Sequence, residues 1–245
     1  GLGNDRNFVT QTRSTALDYD GNGTHKDKSE TYSYNSTTGN LTQKISWGEV
    51  TGSDDGSFTD TGVDKFTTDI SYASSSSSKD KSLPSTETQT DQGVAKVSEV
   101  RHYFDALSLG SVDKGNETKT EKWKSSTNYA STTRTYNSYG LVTQETDPRG
   151  KTMTYTIDSL NLYPATTTNP VSHITGYQYN YAIGKVKQTT DPNNRVYQTI
   201  YDGFGRIKEE KQPDLATPST LVTKTTYAYA DNIVPSYIYQ KNYLN

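Results

Sequence analysis

The sequence predicts an all-β chain of antiparallel hairpin repeats forming a curved or spiralling β-sheet ribbon. Three observations lead there. Tyr136, Ile157, Tyr179 and Tyr201 lie 21, 22 and 22 residues apart, each opening a similar phrase. Pro148, Pro170, Pro192 and Pro213 keep the same step, at 22, 22 and 21 residues, and the first three follow Asp147, Asn169 and Asp191. Two markers with one period mean a tandem array whose units cannot fold alone. Third, 20 Tyr and 39 Thr stand against only 39 Leu, Ile, Val and Phe combined in 245 residues. Thr and Tyr suit a pleated, half-buried surface, so the core is expected to be thin and built largely from Tyr rings.

The elements follow in order. In the first half, Asp18-Tyr-Asp-Gly-Asn-Gly23 reads as a turn. Thr31–Asn35, Thr38–Leu41 and Thr42–Trp47 read as strand, turn and strand, and Tyr103-Phe-Asp-Ala106 as a degenerate copy. Residues 1–100 are thus divergent β repeats, with a Ser-rich loop near 73–90 around Ser74–Ser78 and Lys79-Asp-Lys-Ser82. Residues 101–245 form the array of period about 22. There Leu141–Thr146 is a strand, Asp147-Pro-Arg-Gly150 a turn and Thr152–Ile157 the returning strand. Asp at the first turn position, Pro at the second and Gly at the fourth each have a conformational reason. Asp158-Ser-Leu-Asn161 turns the chain the other way. The order recurs through Asn169-Pro-Val-Ser172, Asp191-Pro-Asn-Asn194 and Asp202-Gly-Phe-Gly205. Each repeat is a hairpin of two short strands.

Alternation places Tyr177, Tyr179 and Tyr181 on one face, likewise Tyr197, Thr199 and Tyr201, and the pairs Tyr227/Tyr229 and Tyr237/Tyr239. Such columns on one side of the sheet would stiffen a ribbon through cross-strand pairs. Tyr136, Tyr155, Tyr179, Tyr197 and Tyr201 are the expected ladder. Asp147, Pro148, Gly150, Asp191, Pro192, Asp202, Gly203 and Gly205 are the expected turn formers.

These phrases resemble the YD repeat of the Rhs family. Its elements are a Tyr-Asp pair, a small-residue turn ending in Gly-Arg, and an Asp-Pro-x-Gly turn. Tyr201-Asp-Gly-Phe-Gly-Arg-Ile207 and Thr146-Asp-Pro-Arg-Gly-Lys151 are similar to it. Arg101–Ala106 with Gly110–Asn116 resembles the segment that precedes the array in toxin-like members. The clear resemblance covers about 134–214. Ile157 replaces the Tyr, Asn180 replaces the Asp, and Asn169-Pro-Val-Ser172 lacks the turn Gly. The resemblance implies a spiral of hairpins that closes into a hollow shell. In bacterial toxins the shell encloses a C-terminal toxin, and in teneurins a similar barrel serves adhesion outside the cell. It implies a secreted or surface-exposed protein. Four clear repeats are too few to close a shell, and the family's self-cleaving core is not recognisable here. Both ends look cut, so the chain is expected to be a piece of a longer protein.

Other chemistry is thinly supported. A formal net charge of −3 gives no basic patch for nucleic acid. No apolar run approaches a membrane-spanning length. Zero Cys excludes a disulfide framework. Asp18, Asp20 and Asn22 match the first half of a Ca²⁺ loop, but Ser29 stands where the bidentate carboxylate belongs, so a plain turn is the better reading. Asp54, Asp55, Asp60 and Asp64 read as an acidic loop before a Ca²⁺ site. His25, His102 and His173 have no ligand-like spacing. Trp47, Trp123 and the Tyr columns can stack sugar rings, though packing is the commoner use of such aromatics. The expectation is a non-enzymatic structural segment without cofactor. Its partners would be the rest of its own chain, or identical copies through exposed strand edges. The rivals are an adhesin or glycan-binding surface, a self-assembling filament and an enzyme.

Overall fold

The structure, a computed structural model, describes residues 9–19, 25–75 and 82–243. It is all-β, with no helix among the described residues. The chain forms two compact units, Gly1–Arg134 and Thr135–Asn245. The expected start of the repeat array, at about 101, falls inside the first unit.

The first unit carries β1 (Arg13–Tyr19), β2 (His25–Tyr34), β3 (Leu41–Gly52), β4 (Phe58–Asp60), β5 (Phe66–Tyr72) and β6 (Ser74–Ser75). It continues with β7 (Pro84–Thr90), β8 (Lys96–Phe104), β9 (Ser111–Val112), β10 (Glu117–Ser125) and β11 (Asn128–Tyr136), whose last two residues belong to the second unit. The main sheet is an antiparallel meander, β1-β2-β3-β5-β7-β8-β10-β11. β4 folds back on the far end of β3, and β6 pairs with β9 in parallel. The stretch read as a Ser-rich loop near 73–90 therefore contains strand. Pro84–Thr90 is β7, central between β5 and β8, because its Ser, Thr and Gln side chains pair well across a sheet even without an apolar signal. Residues 76–81 lie outside the described part.

The second unit carries β12 (Val142–Thr146), β13 (Thr152–Ile157), β14 (Pro164–Thr168), β15 (Ile174–Asn180) and β16 (Lys185–Thr190). β17 (Val196–Tyr201), β18 (Ile207–Pro213), β19 (Leu221–Ala230) and β20 (Tyr237–Asn242) complete it. Each strand from β12 onward pairs antiparallel with the next. The predicted strands of this half lie within a residue or two of the observed ones.

One turn device connects most of these strands. Asn137, Asp147, Asn169, Asp191 and Asp202 each accept, through one side-chain oxygen, the amides two and four residues on. In each, the first residue donates its own N–H to the carbonyl four residues on, and the fourth residue's N–H returns to the first carbonyl. The fourth residue has positive φ: Gly140, Gly150, Ser172, Asn194 and Gly205. This is a type I turn closed by a left-handed residue, the usual three-residue hairpin connection. The Tyr-Asp and Asp-Pro phrases thus encode one backbone shape, used on opposite rims. Asp91 makes it too, with Val94 at positive φ.

The aliphatic core is small. Among the described residues, Val50, Ala73, Phe104 and Val112 of the first unit are buried apolar side chains, with Leu83 packed on the last three, and Pro213 is buried in the second. Asp27, Ser29, Ser85 and Glu99 are buried polar residues of the same unit. Gly52 has no room for a side chain: a Cβ there would meet Leu17 Cδ2 at 2.7 Å and Asp27 Oδ2 at 3.0 Å. Its N–H donates to that same Asp27 oxygen.

At Gly150 a Cβ meets nothing within 4 Å while φ is 75°. Gly150→Ala therefore tests backbone strain alone and should cost about 1–2 kcal/mol in urea unfolding. Ser172→Gly, which relieves the same conformation at φ 64°, should stabilise by about 1 kcal/mol.

Candidate functional site: the tyrosine clasps and the charged face

The repeat tyrosines close the open ends of hairpins. The β14–β15 ladder ends at Thr166 opposite Gly176. Beyond it the Tyr179 hydroxyl donates to the Pro164 carbonyl at 3.0 Å, and its ring stacks on Tyr163 at 4.5 Å. The β16–β17 ladder ends at Gln188 opposite Gln198. Beyond that, Tyr201 donates to the Val186 carbonyl at 2.7 Å while Lys185 Nζ sits 5.4 Å from its ring. At β18–β19, Tyr229 donates to the Ile207 carbonyl at 2.8 Å and the Arg206 guanidinium lies 4.0 Å from its ring. The rule is constant. The residue that leaves the preceding turn covers the ring, and the carbonyl of the next residue takes the hydroxyl. In the first unit Tyr72 likewise donates to Leu41 O at 2.9 Å. The hydroxyl satisfies an acceptor where the splaying strands no longer can, which a half-buried carbonyl requires. Burial raises the phenols of Tyr72, Tyr179 and Tyr201 above the ordinary value and keeps them as neutral donors.

A β-bulge sits on the other side of most of these strand ends. Tyr34, Tyr72, Ile157, Tyr179 and Tyr201 each mark a register shift against the following strand. The extra residues are Thr42, Ser85, Ala165, Lys187 and Lys208. A bulge increases local twist and bends the strand, so at Tyr72, Tyr179 and Tyr201 the strand bends where it is clasped; Ile157 has the bulge without a clasp, and Tyr229 the clasp without a bulge.

The expected ladder residues divide. Tyr179 and Tyr201 are clasps. Tyr155 is opposite Thr167 and Tyr197 opposite Thr189, so they meet β-branched neighbours. Tyr197 is 40% exposed. Tyr136 ends β11, half-buried. At β12–β13 Ile157 stands in the aromatic's place and the turn-exit residue is Leu141, so that hairpin has no clasp hydroxyl. Tyr237 and Tyr239 are a correction to the single-sided columns. They pair with Ala230 and Ala228, whereas Tyr227 and Tyr229 pair with Gln240 and Ile238. Without a bulge between β19 and β20, the last pair faces the opposite side.

The turn carboxylates serve structure. The Lys151 amide, then the Arg149 guanidinium and amide, hold the Asp147 carboxyl below the usual range. Desolvation opposes the shift at Asp202, but the Arg206 amide and guanidinium outweigh it. Arg206 also donates to Asp231 at 2.7 and 2.8 Å, joining successive turns. Pro148 and Pro192 stand at the second position of their turns, Gly203 likewise. Asp18 lies in β1, while Asp20 and Asn22 lie outside the described residues. Asp55, Asp60 and Asp64 accept the amides of Ser57, Gly62 and Glu49.

Sequence reasoning missed a charged face on β8, β10 and β11. Glu99 receives Lys96 at 2.9 Å, the Tyr129 hydroxyl at 2.8 Å and Arg101. Glu121 receives Lys119 at 2.9 Å, the Tyr103 hydroxyl at 2.8 Å and Ser131 at 3.3 Å. Burial works to raise both carboxyls, yet these donors hold both below the usual range. Trp123 lies under Lys96 at 5.0 Å and donates to Ser126 O, and Trp47 lies under Lys65 and donates to Thr31. His102 pairs with Glu117. Asp105, read as part of a degenerate repeat, accepts four amides, from Asp113, Lys114, Gly115 and Asn116. Burial opposes the charge there, and the four amides lower its pKa nonetheless. The signal for the charged face is the alternation Glu99-x-Arg101-x-Tyr103 against Lys119-x-Glu121-x-Trp123, which only the register turns into neighbours. No group of three or more His, Cys, Asp or Glu among the described residues forms a metal cluster.

No family model matches the chain, and no curated protein does. Similar solved structures include the Photorhabdus luminescens Tc holotoxin pore, at TM-score 0.41 and 13% identity over 89% of this chain and 14% of that one. The TcdB2-TccC3 structure gives TM-score 0.44 and 12% identity over 91% and 15%. A porin-like protein from Bacteroides uniformis gives TM-score 0.29 and 10% identity over 95% and 96%. The chain thus spans 14–15% of the length of the toxin chains it matches.

Tyr201→Phe should cost about 1 kcal/mol by leaving the Val186 carbonyl unpaired, and Tyr201→Ala about 2–4 kcal/mol. Tyr197→Ala should stay within about 1 kcal/mol. Denaturant melts of the three variants check the ranking. The lowered pKa values of Asp105, Asp147, Asp202, Glu99 and Glu121 mean that the unfolded chain binds protons first as pH falls. Stability should be flat above about pH 5 and decline as pH drops through the ordinary carboxylate range near 4 and below. Asp147→Asn keeps the turn acceptor, as Asn137 and Asn169 do, and should give a shallower acid limb in thermal melts from pH 2 to 7.

Proposed function

We propose that this chain is a non-enzymatic wall segment of a secreted or surface-exposed, Rhs-like YD-repeat protein, and that the wall encloses a C-terminal toxin or effector. The observation that carries it is the recurrent clasp. Hairpin after hairpin uses the same side-chain grammar to hold the next strand, and the acidic groups of the repeats are consumed by turns and ion pairs. Such a segment does its work by geometry. It presents sheet surface on a frame that needs little aliphatic core, and it binds further strands of its own longer chain. The YD phrases supply the link to enclosing shells. Its test is the mass of the intact native polypeptide before and after denaturation. A large protein that separates into a repeat-bearing chain and a bound C-terminal fragment supports enclosure. A mature chain near this length with nothing bound ends it.

A second reading is an adhesive or self-assembling surface module. It is favoured by the rim that carries the turns at Asn137, Asp158 and Asp202. Their tips are Tyr139, Leu160 and Phe204, which are 70%, 56% and 84% exposed. On that reading, glycan or surface binding falls when Tyr139 and Phe204 are replaced by Ser, as a binding titration would register.

A further inference from the structure

The β17–β18 ladder stops short on the rim opposite Phe204. Its last pair there is Gln198 with Lys211. Beyond it each strand follows its other neighbour. β17 pairs with β16 as far as Val196 opposite Thr190, and β18 with β19 as far as Pro213 opposite Leu221. The two strands part, and a cleft of about 140 Å³ opens between them. Arg195 and Tyr197 line one side, Gln212 and Asp214 the other, and Leu215 and Pro218 form an apolar wall. On the Phe204 rim Tyr179, Tyr201 and Tyr229 close such ends with their hydroxyls. Here the polar groups are unspent. Among the described residues the Arg195 guanidinium, the Tyr197 hydroxyl and the Gln212 side-chain amide have no hydrogen-bond or ion-pair partner. Asp214 Oδ1 accepts the amides of Ala216 and Thr217 and the Thr217 hydroxyl, and its second oxygen is free.

We propose that this cleft binds one uronic acid residue of an acidic polysaccharide. The planar Arg195 fork matches a sugar carboxylate with two parallel hydrogen bonds. The Tyr197 ring, 40% exposed, offers its face to the C–H side of a pyranose. Gln212 both donates to and accepts from ring hydroxyls, and the free oxygen of Asp214 accepts from them. The Thr217 amide and then its hydroxyl hold the Asp214 carboxyl below the usual range, so it acts as an acceptor throughout the neutral range. The frame is fixed beforehand. The Arg195 amide is tied to Asp191 at 2.8 Å, and the Asp214 turn is tied to Thr217. A neutral sugar leaves Arg195 unmatched, and a bare carboxylate leaves the ring and the amide unmatched, so the set selects a group that carries both. The inference deepens the adhesive reading by naming a ligand, but it uses none of the tips on the opposite rim and is independent of enclosure.

Calorimetric titration of the whole chain with the methyl glycosides of glucuronic and galacturonic acid tests it, with methyl glucoside and acetate as comparisons. One of the two uronides should bind saturably in the millimolar range, and methyl glucoside and acetate about tenfold or more weaker. Arg195→Gln should weaken the uronide about tenfold or more and leave methyl glucoside unchanged, whereas Tyr197→Ala should weaken both. Raising salt should weaken the uronide alone. Arg195 and Tyr197 are exposed, so both variants should keep the circular dichroism spectrum and melting temperature of the parent. Failure of both uronides to bind saturably, equal binding of uronide and glucoside or of uronide and acetate, or uronide binding indifferent to Arg195→Gln overturns the proposal. Uronide binding that falls with Tyr139→Ser and not with Arg195→Gln overturns this site while keeping the adhesive reading.

Discussion

The structure depends on the need to satisfy backbone groups at the ends of short hairpins. Strands of five to ten residues splay where they leave the ladder, and a carbonyl there loses its cross-strand donor. In a protein with a thick core, apolar packing would hold those ends together. Here four buried apolar residues serve one unit, and among the described residues of the other the buried apolar side chain is Pro213. The tyrosine hydroxyl supplies the missing donor, and the ring supplies area against the residue that leaves the turn. One side chain thus does the work of a ladder rung and of a core residue.

The clasp explains several features together. It explains why the ring's neighbour can be Tyr163, Lys185 or Arg206, since an aromatic face accepts stacking or a cation equally well. It explains why the repeat tolerates so few aliphatic residues. At Tyr72, Tyr179 and Tyr201 it also accounts for clasp and bulge occurring together: the bulge bends the strand, and the hydroxyl ties down the bent place. The turns are equally economical. A side-chain oxygen that takes two amides makes Asp and Asn interchangeable at the first position, and the left-handed fourth position accepts Gly, Asn or even Ser and Val.

The charged face of the first unit follows the same logic with different groups. Glu99 and Glu121 sit half or fully out of water, and each is surrounded by a cation and a tyrosine hydroxyl. Buried charge is tolerable only when paired and hydrogen-bonded. Asp105 meets the same demand with four amides. Both units therefore hold their strands largely by polar groups that have found partners, with apolar burial as the lesser contributor.

The sequence by itself determined the all-β class, the period, the turn positions and the strands from β12 onward. Those features are local: a turn needs only Asp or Asn followed by a residue able to take positive φ, and alternation needs only neighbours in the chain. The tertiary structure decided what lies across from what. Tyr179 and Tyr201 clasp while Tyr197 stands half in water, though all three have the same strand-like surroundings in sequence. Tyr237 and Tyr239 turn to the other face because one bulge is missing between β19 and β20, and a single residue of register moves a whole strand's side chains from one face to the other. β7 pairs centrally with hardly an apolar residue in it, and Glu99 meets Tyr129 from thirty residues away. Such partners are set by cross-strand register, a long-range quantity that no local pattern carries.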